Sequence, residues 1–254
     1  MRHEGKVALV TGGSQGIGEA ICRRLAAEGA AVYVIASSDI AKAQAVCDSI
    51  RSSGAKAQAA TADVSKAEEL AALAQRVAHE FGTLDILVNS AGVFYPTPVG
   101  TPASEVDRMV DINLKGTIFA ITAFSPMLSQ GSGGKIVNLS SCAGMMGLRT
   151  YSVYCATKAA IAMLTRSLAL ELAPLGINVN AIAPGNTATP INEDIRTRPD
   201  LAPFLNAMAE KTPSGRTYSD PQDIAALASF LSSDEAKAMH GSTILIDEGF
   251  TAGM

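Results

Sequence analysis

The sequence predicts an α/β protein built on one doubly wound parallel sheet of about seven strands, with helices on both faces. Three observations lead there. Short apolar runs alternate with amphipathic helical stretches from start to finish. No linker or shift in composition divides the 254 residues, so 1–254 reads as one domain. Polar residues recur where the apolar runs end, and the ligand crevice of such a sheet lies along the carboxyl edge of its strands.

The elements follow in order. KVALV (Lys6–Val10) reads as a buried strand, and it meets Thr11-Gly12-Gly13-Ser14-Gln15-Gly16-Ile17-Gly18 before the helix EAICRRLAAEG. A strand, a glycine-rich turn and a helix N-terminus together form an anion site. Backbone N–H groups and the positive end of the helix dipole face a pyrophosphate. The second strand, AAVYVIA, ends at Ala36. Where a dinucleotide site would place an acidic residue to read the ribose, this chain has Ala36, Ser37 and Ser38, and only then Asp39. Two hydroxyls and no carboxylate lean toward NADP(H), with NAD(H) left open because no arginine stands there either.

A helix (IAKAQAVCDSIRSSG) leads to the third strand, KAQAATADV. Asp63 at its end, beside Val64, suits an acceptor for an adenine amino group, an N-cap for the helix KAEELAALAQRVAHEF, or both. The fourth strand, LDILVNSAG, ends in Asn89-Ser90-Ala91-Gly92. The next helix carries Asn113 among apolar neighbours, where an amide needs a hydrogen-bonding partner. KIVNLSS delivers Ser140 and Ser141, and INVNAIAPG ends at Pro184-Gly185. Residues 186–221 are irregular and rich in Pro, Thr and charge, and read as a mobile lid with short helices. DPQDIAALASFLSS is a late helix capped by Asp220, and STILIDEG a last strand.

The chemistry concentrates in Ser141–Lys158. Tyr154 and Lys158 are four residues apart in a helical run, so they share one face, one turn apart. A phenol titrates near pH ~10, too high for proton transfer near neutrality, and a neighbouring cation lowers it. Ser141 is placed to hydrogen-bond the same substrate oxygen. Alone, Y-x-x-x-K is a common surface pairing, and Tyr151 has Cys155 rather than lysine four residues on. The remaining motifs give it weight.

Bulk properties exclude other classes. The formal net charge of -4 offers no electrostatic case for nucleic acid or an anionic membrane. No apolar run approaches the roughly 18 residues of a spanning helix. The N-terminus is broken by Glu4 and Lys6 and does not read as a signal peptide. Cys22, Cys47, Cys142 and Cys155 have no C-x-x-C spacing and read as free thiols, with a cytoplasmic location as the default. No metal site is expected.

Together, T-G-x-x-x-G-x-G at Thr11–Gly18, Asp63, N-S-A-G at Asn89–Gly92, Asn113, Ser141, Tyr154-x-x-x-Lys158 and Pro184-Gly185 resemble the classical short-chain dehydrogenases/reductases. The resemblance covers essentially the whole chain, in order and spacing. It implies a single-domain Rossmann fold that moves a hydride between a nicotinamide and a carbonyl/alcohol pair. Tyr154 is then the general acid/base. Lys158 holds the nicotinamide ribose and lowers the phenol pKa, Ser141 orients the carbonyl, and Asn113 holds a water for proton relay. Gly12, Ser14, Gln15, Gly16, Ile17 and Gly18 form the phosphate turn. Ser37, Ser38, Asp63, Val64, Asn89, Ala91 and Gly92 take the adenosine side. Pro184, Gly185, Thr187 and Thr189 lie near the carboxamide and pyrophosphate. A homotetramer is also implied. Ser90 departs from the usual N-N-A-G, a mild change.

Among substrates, a small or medium secondary alcohol, ketone, polyol or sugar is preferred. A 3-oxoacyl-[acyl-carrier-protein] would want a basic docking patch. No Lys or Arg lies between Lys115 and Lys135, and Leu170 and Leu175 stand where more would be sought. Phe94, Met145, Met146, Tyr151 and Ile191 are the expected pocket walls. A non-catalytic nicotinamide-binding regulator is the rival reading, and the intact set Asn113, Ser141, Tyr154 and Lys158 speaks against it.

Overall fold

The computed structural model describes residues 1–130 and 133–252. Its strands are β1 (Val7–Thr11), β2 (Ala31–Ala36), β3 (Ala57–Thr61), β4 (Ile86–Asn89), β5 (Lys135–Leu139), β6 (Asn178–Pro184) and β7 (Thr243–Ile246). They form one seven-stranded parallel sheet in the order β3-β2-β1-β4-β5-β6-β7. The order reverses direction between β1 and β4, which opens the crevice at their carboxyl ends. Register carries the ends into line: Thr11 lies beside Asn89, and Asn89 beside Asn138.

The strand sequences are apolar almost throughout because both faces are covered. Alternation splits them between two cores. Ala8, Val10, Val32, Val34 and Val88 face one way, against Ile21 and Leu25 of α1 (Gly16–Ala27), Val46 and Ile50 of α2 (Ile40–Ser52), and Ile224 and Leu231 of α9 (Pro221–Leu231). Leu9, Tyr33, Ile35 and Leu87 face the other way, against α3 (Ala67–Phe81), α5 (Gly116–Leu128) and α6 (Ser152–Leu172). The edge strands β3 and β7 lose this continuous burial.

Four details differ from the sequence reading. The helix α1 starts at Gly16, inside the glycine motif. The helix bearing Asn113 is broken into α4 (Ala103–Val110), a wide π turn (Asp111–Lys115) and α5, and such turns gather at functional sites. Gly116 opens α5 where a Cβ would stand 2.7 Å from Val64 Cγ2, so the helix rests directly on the loop after β3. The third difference concerns Asp63, which does not cap α3. Its carboxylate accepts from the N–H and hydroxyl of Ser65, closing a local turn, and Lys66 occupies the cap position. Lastly, Ser152–Leu175 is long and apolar enough to cross a membrane by length and composition, contrary to the expectation that no run comes close. Here it lies along the sheet, with Ile161, Ala169 and Leu172 in the core.

Asp220 caps α9 as expected, accepting from Gln222 N–H, with Asp223 returning the bond. Residues 186–221 carry the short helices α7 (Glu193–Thr197) and α8 (Ala202–Lys211). The segment leaves and returns at one point, where Thr187 and Ser219 form an isolated parallel bridge.

Candidate active site

The carboxyl ends of the strands open into a cavity of about 870 Å³. At one end lies the glycine loop. The Thr11 hydroxyl accepts from Ser90 N–H and Ala91 N–H, stitching β1 to the segment after β4. Gly12 (φ 66°) turns the chain so close to that segment that a Cβ would sit 2.8 Å from Ala91 Cα. At Gly18 a Cβ would lie 2.2 Å from the Gly12 carbonyl oxygen, so α1 begins flush against the loop. Gln15 stands at the cap of α1 without a side-chain bond to it. Uncapped N–H groups at a helix start, bare of Cβ atoms, fit the close approach of a pyrophosphate. Gly12, Ser14, Gln15, Gly16, Ile17 and Gly18 all line the cavity.

Ser37 and Ser38 line it too. Asp39, the nearest carboxylate after β2, is turned away into α2, where it accepts from Ala41 N–H and Lys42 N–H. Asp63 and Val64 form the adjoining wall with Glu69, whose carboxylate accepts from Asp63 N–H. Ala91 and Gly92 line the floor. Asn89 lies beneath it, buried and donating to Asn138 Oδ1.

At the other end Ser141, Tyr154 and Lys158 converge. Strand β5 ends in Ser140 and Ser141, and Ser140 donates its hydroxyl to the Lys158 carbonyl, docking α6 on the strand. A Cβ on Gly144 would stand 2.8 Å from Lys158 backbone, so glycine is what permits this approach. Ser141 Oγ accepts from Ala143 N–H at 3.1 Å and donates to the Pro184 carbonyl at 3.4 Å. Lys158 is buried and donates to the Leu139 carbonyl at 2.7 Å; its Nζ lies 5.8 Å from the Tyr154 ring centre.

Asn113 is off the wall. Its Oδ1 accepts from Val93 N–H at 2.8 Å and its Nδ2 donates to the Val93 carbonyl at 3.0 Å, clamping the segment after β4. That segment carries Phe94, whose ring stacks on Tyr151 at 4.5 Å and meets Tyr154 edge-on at 4.8 Å.

Burial pushes the Tyr154 phenol up to about 12, with a hydrogen bond from Ser141 acting against it. Burial also pulls Lys158 down to about 8. This corrects the expectation that Lys158 leaves the phenol below its ordinary value. A cation directed at the Leu139 carbonyl, itself strained by desolvation, does not offset the burial of the hydroxyl.

Pro184, Gly185, Thr187 and Thr189 complete the wall on the β6 side, and Gly16 faces Thr189. Phe94 and Ile191 line the cavity as expected, whereas Met145, Met146 and Tyr151 do not. Tyr151 instead backs Phe94. Arg108, Ile112, Leu148, Met208 and Phe250 also reach the cavity, although no motif in the sequence marks these five residues themselves. Cys142 is on the wall, with burial pushing its thiol up, while Cys155 Sγ accepts from Leu148 N–H. Among the described residues, no group of three or more His, Cys, Asp and Glu side chains is placed to hold a metal ion.

Comparison with known proteins agrees with this geometry. A family model described as enoyl-(acyl carrier protein) reductase matches residues 12–251. The chain is 40% identical to galactitol 2-dehydrogenase of Agrobacterium fabrum, over 98% of each chain. It is 38% identical to the 3-oxoacyl-[acyl-carrier-protein] reductase FabG of Staphylococcus aureus, over 96% of this chain and 97% of that one. A gluconate 5-dehydrogenase from Burkholderia cenocepacia, solved with NADP and tartrate, superposes with a TM-score of 0.93 at 30% identity, covering 100% of this chain and 98% of the other. The chain belongs to the classical short-chain dehydrogenase/reductase family and is an NAD(P)-dependent oxidoreductase acting on CH–OH groups.

Proposed function

We propose that the protein transfers a hydride between NADP(H) and the carbonyl or secondary alcohol of a small or medium substrate such as a ketone, polyol or sugar. The observation that carries this reading is the single cavity joining the glycine cradle to Ser141, Tyr154 and Lys158. A nicotinamide dinucleotide bound there supplies or accepts the hydride. Tyr154, with a phenol that stays protonated at neutral pH, gives its proton to the carbonyl oxygen in the reductive direction. Ser141 holds that oxygen and stabilises the charge it gathers. Lys158 presents an ammonium to the ribose side of the site. Asn113 fixes the floor by gripping Val93, and residues 186–221 act as the lid.

NADP(H) is favoured because Ser37 and Ser38 face the cavity while Asp39 is engaged in capping α2. The relative solved with NADP adds support. Titration with NADPH and NADH, followed by cofactor fluorescence, should give at least about tenfold tighter NADPH binding, or ~1.4 kcal/mol. Tighter NADH would reject the phosphate-reading role of these serines, and no binding of either would reject the enzyme reading. A carrier-protein substrate is the second reading, raised by the FabG likeness. Leu170 and Leu175, exposed where a basic patch would stand, weigh against it. The exposed apolar side chains Ile118, Met163 and Leu170 on α5 and α6 support a homotetramer, which light scattering weighs directly.

The lowered pKa of Lys158 has a stability consequence. The folded protein binds fewer protons than the unfolded chain between about 8 and 10.5, so the penalty for the buried charge is full below that window and fades as pH rises through it. In the cofactor-free protein, Lys158→Met should therefore raise stability at pH 7 by roughly 1–3 kcal/mol. The gain should shrink in alkaline buffer, and cofactor affinity should fall. Thermal unfolding on either side of the window checks the sign. A variant less stable than wild type at neutral pH would show that the bond to the Leu139 carbonyl outweighs the burial penalty.

A further inference from the structure

We infer that Phe250 is a specificity-determining wall of the substrate pocket, set in place by Glu248, and that the preferred carbonyl substrate carries an apolar flank packed against it. This rests on the hydride-transfer reading of the same site and adds the class of substrate.

The turn after β7 is joined to the reacting end through adjacent backbone. Ser141 donates to the Pro184 carbonyl, and at the next residue, Gly185, a Cβ would stand 2.7 Å from Asp247 Cβ. Asp247 then organises the turn: its carboxylate accepts from Gly249 N–H at 3.1 Å and Thr251 N–H at 2.9 Å, and its carbonyl accepts from Phe250 N–H. Phe250 projects into the cavity that also holds Tyr154 and Ser141.

Between Asp247 and Phe250, the chain takes an uncommon path. Glu248 has φ 61°, a left-handed conformation that non-glycine side chains seldom adopt. Tertiary contacts hold it there. Its carboxylate meets Arg216 through both oxygens, at 2.9 and 3.2 Å, and accepts from Ser219 Oγ at 2.8 Å. Its carbonyl accepts from Ser214 N–H, and Gly249 packs directly on Pro213, where a Cβ would stand 2.9 Å from Cγ. Ser219 is the residue that bridges to Thr187 at the base of the lid. The clasp thus fixes the C-terminal turn, the lid's return and the carboxyl end of β6 to one another, and Phe250 with them.

The chemistry of the wall indicates what it accepts. Phe94, Leu148, Ile191, Met208 and Phe250 are all apolar, and Arg108, which also reaches the cavity, lays its guanidinium over the Tyr95 ring at 5.7 Å. The nearby amide of Asn192 is already bonded to the backbone of Thr187 and Thr189. A fully hydroxylated chain would leave hydroxyls without partners against such a wall, whereas an alkyl or aryl flank would bury apolar area.

The test compares NADPH-dependent reduction of a series of 2-ketones of growing alkyl or aryl flank with that of keto sugars, in wild type, Phe250→Ala, Glu248→Gly and Glu248→Gln. Wild type should favour apolar ketones over keto sugars by at least about tenfold in kcat/KM. Phe250→Ala should move the preferred flank to larger groups, again by about tenfold, mainly through KM. Glu248→Gly should move it the same way: glycine is at ease at this φ, but Arg216 and the buried Ser219 hydroxyl lose their acceptor, so thermal unfolding is read beside the kinetics to separate a loosened turn from a misfolded variant. Glu248→Gln, whose one amide oxygen can still accept from Arg216 Nη2 and Ser219 Oγ but whose NH2 group then faces Arg216 Nε–H, should give a smaller shift than Glu248→Gly. Unchanged profiles in active Phe250→Ala and Glu248→Gly, or a wild-type preference for keto sugars, would overturn the inference while leaving hydride transfer standing. Failure of every ketone and sugar with wild type that binds NADPH would overturn both.

Discussion

Tyr154→Phe should lower turnover by about 10²–10⁴-fold, roughly 3–5 kcal/mol of transition-state stabilisation, while NADPH still binds within about twofold of wild type. The hydroxyl is the group removed. The ring keeps its edge-on contact with Phe94, and Lys158 keeps its bond to the Leu139 carbonyl, so the cofactor end of the cavity is undisturbed. The loss should appear in kcat and kcat/KM together, because the proton is transferred only in the transition state. Steady-state kinetics beside a fluorescence titration separates this from misfolding. A variant that retains turnover would remove Tyr154 from the chemistry, and one that loses NADPH binding as well would make its role structural.

Gly18→Ala should be the most damaging single methyl in the cofactor site. A Cβ there would stand 2.2 Å from the Gly12 carbonyl oxygen and 3.1 Å from Gly13 Cα. Both neighbours are backbone, so no side chain can swing aside, and α1 must lift off the loop. Overpacking of this kind costs typically 1–3 kcal/mol and more when backbone must shift. For a chain of this size, ~3 kcal/mol lowers Tm by roughly 6–12 °C. Cofactor affinity should fall at least about 100-fold, because the uncapped N–H groups of α1 no longer point where the loop directs them. Gly147→Ala, at a site with open space around it, is the control and should change neither quantity. Calorimetry with and without NADPH reads both effects, and a wild-type Kd in Gly18→Ala would show that the phosphate cradle lies elsewhere.

What could be read from the sequence follows how local each feature is. The strands were legible because burial on both faces makes their apolar runs nearly continuous, and Thr11–Gly18 was legible because a turn this tight admits few residues. Tyr154 and Lys158 were legible from helical spacing together with the motifs that surround it in order along the chain. Their ionisation was not: spacing places a cation near a phenol, but burial of both groups decides the direction of each shift. The N-cap reading of Asp63 missed because Ser65 lies nearer than the helix, and its N–H and hydroxyl both bond to Asp63 Oδ1 while Lys66 takes the cap position. The π turn at Asn113 was hidden because its residues suit an ordinary helix, and only contact between Gly116 and Val64 shows how tightly that segment is seated. Met208 and Phe250 could not be found by pattern, since they reach the cavity through folding of distant segments. The guess at Met145 and Met146 took neighbours in sequence for neighbours in space, and Met145 points to solvent.

The central claim is that this cavity moves a hydride to a carbonyl carbon while Tyr154 protonates its oxygen. The most direct measurement is reduction of a ketone by NADPH carrying two deuteriums at the nicotinamide C4, so that either face delivers label, with mass spectrometry of the alcohol, in wild type and Tyr154→Phe. The account predicts one deuterium on the carbinol carbon in wild type and alcohol formation at least about 100-fold slower in the variant. An alcohol without deuterium, or equal rates in the two proteins, would contradict it.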